Sequence, residues 1–167
     1  DMDILLRRST DGGKTWLPTQ VFAAREPKTP TSNCTPIVDA DGRTIHVLYQ
    51  RGYSRCFYVK TTDEGATWSA PMDITATFER FRPEYNFKVL APGPGHAIQL
   101  SKGKNKGRLV VPVWLCEPDP SRPGGDHRPS CIATIFSDDF GKTWQRGAII
   151  ANNGDRIGRD TLVNPSE

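Results

Sequence analysis

Ser137-Asp138-Asp139-Phe140-Gly141-Lys142-Thr143-Trp144 follows an apolar run at 132–136, and the same eight-residue pattern stands twice more in the chain. It recurs as Ser9-Thr10-Asp11-Gly12-Gly13-Lys14-Thr15-Trp16 and as Thr61-Thr62-Asp63-Glu64-Gly65-Ala66-Thr67-Trp68. Apolar runs precede these copies at 4–6 and 57–59, and a second short run follows each copy, at 21–22, 72–74 and 148–150. Strand, polar glycine turn and strand make a β-hairpin. The Asp side chain accepts backbone N–H groups inside such a turn, and Gly supplies a positive φ. The Trp closes the hairpin by offering a large apolar face to a neighbouring sheet. Asp11, Asp63 and Asp139, with Trp16, Trp68 and Trp144, are therefore expected to be structural.

A half-repeat precedes two of the hairpins. One copy runs from Pro36-Ile37-Val38 through Asp41-Gly42-Arg43 to Val47-Leu48-Tyr49. The other runs from Ala97-Ile98-Gln99-Leu100 through Gly107-Arg108 to Val113-Trp114. Two strands joined by a Gly-Arg turn, then two joined by the Asp turn, make a four-stranded antiparallel sheet, the blade of a β-propeller. The copies are unevenly spaced, and the surplus falls at 78–94 and 117–129, both rich in Pro, Gly and charge. Insertions of this kind are expected as loops on the binding face. The chain is all-β, with no helix of more than two turns expected. About two complete blades plus two partial ones fit into residues 1–167, read as part of one propeller domain truncated at both ends.

Composition narrows the function classes. Apolar residues are 36% and charged residues 25%, a globular balance. No apolar run is long enough to span a bilayer, and a net charge of +3 without a basic cluster interleaved with aromatics gives no case for nucleic acid. Cys34, Cys56, Cys116 and Cys131 lack metal-binding spacing. They read as buried thiols on strands, with a Cys116–Cys131 disulfide as the alternative. His96 reads as a turn histidine, and His46 and His127 carry no partner pattern. Arg7, Arg8 and Arg108 read as solvated.

The three hairpins resemble the Asp-box, or BNR repeat, of the sialidase family, at 9–16, 61–68 and 137–144. More specific is Gly93-Pro94-Gly95-His96-Ala97-Ile98-Gln99-Leu100 followed by Gly107-Arg108-Leu109-Val110-Val111-Pro112, which resembles exo-α-sialidases. Asn164-Pro165-Ser166-Glu167 looks like the start of the family's glutamate strand. The resemblance implies a six-bladed propeller acting on sialylated glycans or other terminal sialosides, without metal or cofactor. It also implies three arginines holding the substrate carboxylate, an Asp acid/base, and a Tyr nucleophile paired with a Glu. Most of that set is expected outside these residues.

Within the chain, the resemblance makes Glu167 the partner of the Tyr nucleophile. It assigns Trp114 to the substrate's glycerol tail or aglycone, and Arg51 and Tyr53 to the lining of the N-acetyl pocket. A carboxylate near the ligand maps to Glu84 or to Asn86, which would share one face of an extended segment. A secreted or periplasmic setting follows from the habit of microbial relatives. The competing reading is a non-catalytic Asp-box propeller that binds glycans or proteins.

Overall fold

Alternation with period two governs the strands of this computed structural model, which describes residues 2–93, 95–119, 121 and 127–165. Strands β3 (Thr31–Val38), β4 (Ile45–Arg51), β5 (Arg55–Thr61) and β6 (Met72–Asp73) form one antiparallel sheet in that order. Along β4 and β5, Leu48, Cys56 and Tyr58 point to one face, and Val47, Tyr49, Phe57 and Val59 to the other. Both faces are apolar, so the sheet is packed on each side.

The short helix α1 (Thr75–Glu79) then returns the chain from the outer edge of this sheet to the inner strand of the next. That second sheet is β7 (Val89–Pro92), β9 (Leu109–Cys116), β10 (Ser130–Ser137) and β11 (Gln145–Asn152), with β8 (Ile98–Gln99) also paired to β9. Its face made by Val111, Val113, Leu115, Cys131, Ala133 and Ile135 packs against Leu48, Tyr58 and the linker residues Phe78, Phe81 and Phe87. The hairpin of β1 (Ile4–Leu6) and β2 (Gln20–Ala23) covers the other face of the first sheet, and β12 (Arg156–Ile157) pairs with β13 (Asp160–Thr161). The result is an all-β array of propeller blades: two full sheets flanked by two hairpins.

Several expectations need correction. The insertion at 78–94 holds the end of α1, a run of turns and strand β7, so the inner strand of the second blade begins inside what reads as a loop. That strand is broken in two because Pro92 offers no N–H and Gly93 and Gly95 take φ of +92° and +82°. Cys116 and Cys131 cannot form a disulfide. Cys131 lies opposite Leu115, which places Cys116 on the other face of the sheet, and both remain thiols. Cys34 is exposed, because it stands on the same face of β3 as Pro36 and, with it, lines a groove between the first hairpin and the first sheet. Arg108 is not merely solvated: it makes a two-point ion pair with Asp138 at 2.7 and 2.8 Å and lies over Phe136. Trp16 is 54% exposed, whereas Trp144 is 6% exposed. Trp144 meets Tyr58 of the preceding sheet and Trp68 meets Phe22 of the preceding hairpin, while no earlier sheet stands against Trp16 among the described residues.

Candidate functional site

The three Asp turns share one hydrogen-bond cage. In the last copy the Ser137 hydroxyl donates to Asp139 Oδ1 (2.8 Å) and accepts from the Gly141 N–H (2.8 Å). The Thr143 N–H and hydroxyl donate to the two Asp139 oxygens at 2.8 and 2.6 Å. Asp63 is held by Thr61 and Thr67, and Asp11 by Ser9 and Thr15, in the same way. The Thr15 hydroxyl, with its N–H and Ser9, holds the Asp11 carboxyl at about 2. The Thr61 hydroxyl and the Thr67 donors hold Asp63 well below the carboxylate range. Burial pushes Asp139 up, but the Thr143 and Ser137 bonds outweigh it and leave that group lowered. These carboxylates are charged and saturated by their own turns.

The turns also lie far from the opposite end of each sheet. β10 runs its eight residues from Ser130 to Ser137, so its ends stand ~23 Å apart at strand rise. The opposite rim is built by the β4–β5 turn, the start of β7 and the β9–β10 connection. Gly52 and Tyr53 in that turn both have positive φ, +58° and +55°. The Tyr53 N–H donates to the side-chain oxygen of buried Gln50, and its carbonyl accepts from the Leu90 N–H at 2.8 Å. Tyr53 is thereby turned toward the second sheet, where it packs on the cluster of Ala91, Trp114 and Cys116. Trp114 is 8% exposed, and its indole N–H has no acceptor among the described residues. The ring of His127 lies 5.1 Å from both Tyr53 and Trp114.

Arg51 diverges from Tyr53 although only one residue separates them. Its guanidinium pairs with Glu26 at 2.8 Å and lies over the Phe57 ring at 4.9 Å, facing the first hairpin. Glu84 and Asn86 do not share a face, because the segment is a series of turns rather than an extended strand. Glu84 makes a two-point ion pair with Arg146 at 2.9 and 3.0 Å, which lowers its carboxyl, while the Asn86 amide donates to Glu117 at 3.4 Å on the rim. Glu167 lies outside the described residues. The structure thus brings together Tyr53 and Trp114, and it joins Asn86 to Glu117 just past the end of β9. It adds His127, Glu26 and Glu117, which meet their partners only through tertiary contact and so have no signal in sequence spacing, and Gln50, whose bond to Tyr53 three residues on is local to the turn.

Two other features complete the survey. A groove of about 330 Å³ between the first hairpin and the first sheet is lined by Leu6, Phe22, Pro36, Val47 and Trp68, and is almost wholly apolar. Among the described residues no group of three His, Cys, Asp or Glu side chains could hold a metal ion, and no helix is long and apolar enough to cross a membrane.

Comparison with known proteins matches the BNR repeat-like domain family over residues 1–167. The chain is 30% identical over 168 residues to a sialidase of Micromonospora viridifaciens, with 88% of this chain and 24% of that protein covered. It is 33% identical over 134 residues to sialidase-2 of Cricetulus griseus, covering 71% of this chain and 34% of the relative. The solved structure of the Hadza microbial sialidase Hz136 superposes with a TM-score of 0.67 at 24% identity, over 90% of this chain and 32% of that one. The chain therefore spans about a quarter to a third of the length of these proteins.

Proposed function

The chain belongs to the sialidase family with BNR repeats, and from that premise we propose that residues 1–167 are part of the propeller domain of a retaining exo-α-sialidase. Its substrates are terminal sialosides on glycoconjugates. The observation that carries the reading is the polarity of the blades: Asp turns saturated by their own bonds at one end, and an aromatic rim at the other. Tyr53, half-buried at the rim and backed by the buried Trp114, offers a ring to the C–H faces of a sugar, and Asn86 an amide to its hydroxyl or acyl groups. Arg51 sits behind this rim, where it holds the β4–β5 turn through Glu26. Glu84 braces the linker through Arg146 and leaves the polar contact to Asn86.

The chemistry follows from the substrate. The anomeric carbon of a sialic acid carries a carboxylate, which repels an anionic nucleophile and admits a neutral phenol. A Tyr outside these residues is the nucleophile in this reading, and Glu167 is the base that takes its proton. A free phenol with a pKa near 10 is rarely ionised at neutral pH, so the base is needed. In the full-length protein, Glu167→Gln is expected to lower turnover of a fluorogenic sialoside by about 10²–10⁴-fold with little change in KM. Wild-type turnover in that variant would remove Glu167 from the mechanism. A full-length protein that binds sialyllactose without turning over any sialoside would instead favour the glycan-binding module.

A further inference from the structure

Three rings from three separate segments meet at the rim. Tyr53 comes from the β4–β5 turn of one sheet, Trp114 from β9 of the next, and His127 from the β9–β10 connection. The His127 ring stands edge-on to Trp114 at 90° and is tilted by 50° against Tyr53, with both centroids at 5.1 Å. Its approach is built, not accidental. The Glu117 N–H donates to the Pro129 carbonyl at 3.1 Å and the Asp119 N–H to the Arg128 carbonyl at 2.9 Å, so the β9–β10 ladder continues into the connection that carries His127. Tyr53 is fixed from its own side by Gln50 and Leu90. Trp114 has no polar anchor, because its buried indole N–H meets no acceptor among the described residues. Its orientation is left to packing, and edge-to-face contact is the directional part of that packing.

We infer that His127 is a positioning residue of the ligand-binding rim: its ring locks Trp114 against Tyr53 across the gap between two sheets and so sets the surface that meets a terminal sialoside. For its ligand this rests on the sialidase reading. His127 acts through the two rings and transfers no proton, so a ring of similar shape should replace it. A small displacement of a positioning group is enough to weaken binding severalfold.

The test uses the full-length protein with His127→Ala, His127→Phe and Trp114→Ala, assayed with a fluorogenic sialoside and by near-ultraviolet circular dichroism. His127→Ala is expected to raise KM by about tenfold, the scale of two ring contacts, with kcat reduced less than about threefold. His127→Phe should restore KM to within about twofold of wild type, since it keeps the ring contacts. In the Trp114→Ala background, His127→Ala should add no further rise, because the two residues act as a unit. A purely structural role would lower the amount of folded enzyme and its apparent kcat while leaving KM intact. An unchanged KM in His127→Ala, an effect additive with Trp114→Ala, or a Phe variant as impaired as the Ala variant would each overturn the inference. If the wild type neither hydrolyses nor binds sialosides, the sialidase reading fails and the dichroism decides. An aromatic signal lost in His127→Ala and kept in His127→Phe supports the positioning role, and unchanged spectra overturn it.

Discussion

Gly13, Gly65 and Gly141 occupy the same position of the three Asp turns and share one backbone conformation, with φ of +88°, +81° and +81°. Their surroundings differ. A Cβ on Gly13 would meet nothing within 4 Å, and one on Gly65 would touch the Trp68 ring at 3.4 Å. On Gly141 it would lie 2.1 Å from the Tyr58 hydroxyl, which has no room to retreat because it bonds His46 Nδ1 at 2.7 Å. Alanine at each site carries the same left-handed strain, so any difference reports the neighbour. Gly13→Ala is expected to destabilise by about 1 kcal/mol, and Gly141→Ala by at least ~1–2 kcal/mol more, the usual range for forced overpacking. Denaturant unfolding of the two variants checks the order. Equal losses would mean that the Tyr58 contact does not limit the turn.

At the scale of elements, each of the two later Asp hairpins serves as the joint to the element before it. The carbonyl ahead of the turn glycine accepts from the preceding element in both later copies: Glu64 from Arg8 Nε at 3.1 Å, Phe140 from the Tyr58 hydroxyl at 3.4 Å. The Trp that ends each of these two copies, Trp68 or Trp144, packs on the same neighbouring element. The turn must keep its shape for both contacts, and the Asp cage keeps it. Asp139→Ala in the full-length protein is therefore expected to lower Tm, while turnover per folded molecule stays close to wild type because the rim lies at the other end of the strands. A thousandfold loss of turnover in protein that stays folded would place the Asp turns at the site instead.

At the scale of the whole molecule, His46 and the caged Asp groups make stability depend on pH in two separate ranges. Burial lowers the pKa of His46 below 6.5, opposed by its contact with Asp39. The unfolded chain thus takes up that proton first, and stability is lost as pH falls below about 6.5. The carboxylates behave in the opposite charge sense but the same direction. The Thr44 and Thr15 hydroxyls hold Asp41 and Asp11 at about 2 against 3.8 unfolded, and Asp63 and Asp139 are lowered as well. Their stabilisation is complete above pH ~4 and disappears as pH falls toward their folded values. Tm measured from pH 8 to pH 2.5 should decline gently through the first range and steeply through the second. His46→Gln should remove the first decline and leave the second. A Tm that is flat down to pH 3 would contradict the saturated Asp cages.

Sequence by itself determined the repeat, the Asp hairpins and the all-β sheet class, because those depend on residues within eight positions of one another and on a period of two along each strand. The family resemblance singled out Tyr53 and Trp114, and the fold packs these two against each other. The sequence could not locate strand β7, since Val89-Leu90-Ala91-Pro92 is too short to stand out between prolines and a turn-rich linker. Nor could it separate Arg51 from Tyr53 or Glu84 from Asn86, because which way each side chain turns depends on Glu26, Arg146 and Glu117 arriving from elsewhere in the fold. The same holds for the burial of the three tryptophans. Identical motifs give Trp144 a neighbour in Tyr58 and leave Trp16 exposed, for the physical reason that burial belongs to the interface between sheets and not to the turn that carries the ring.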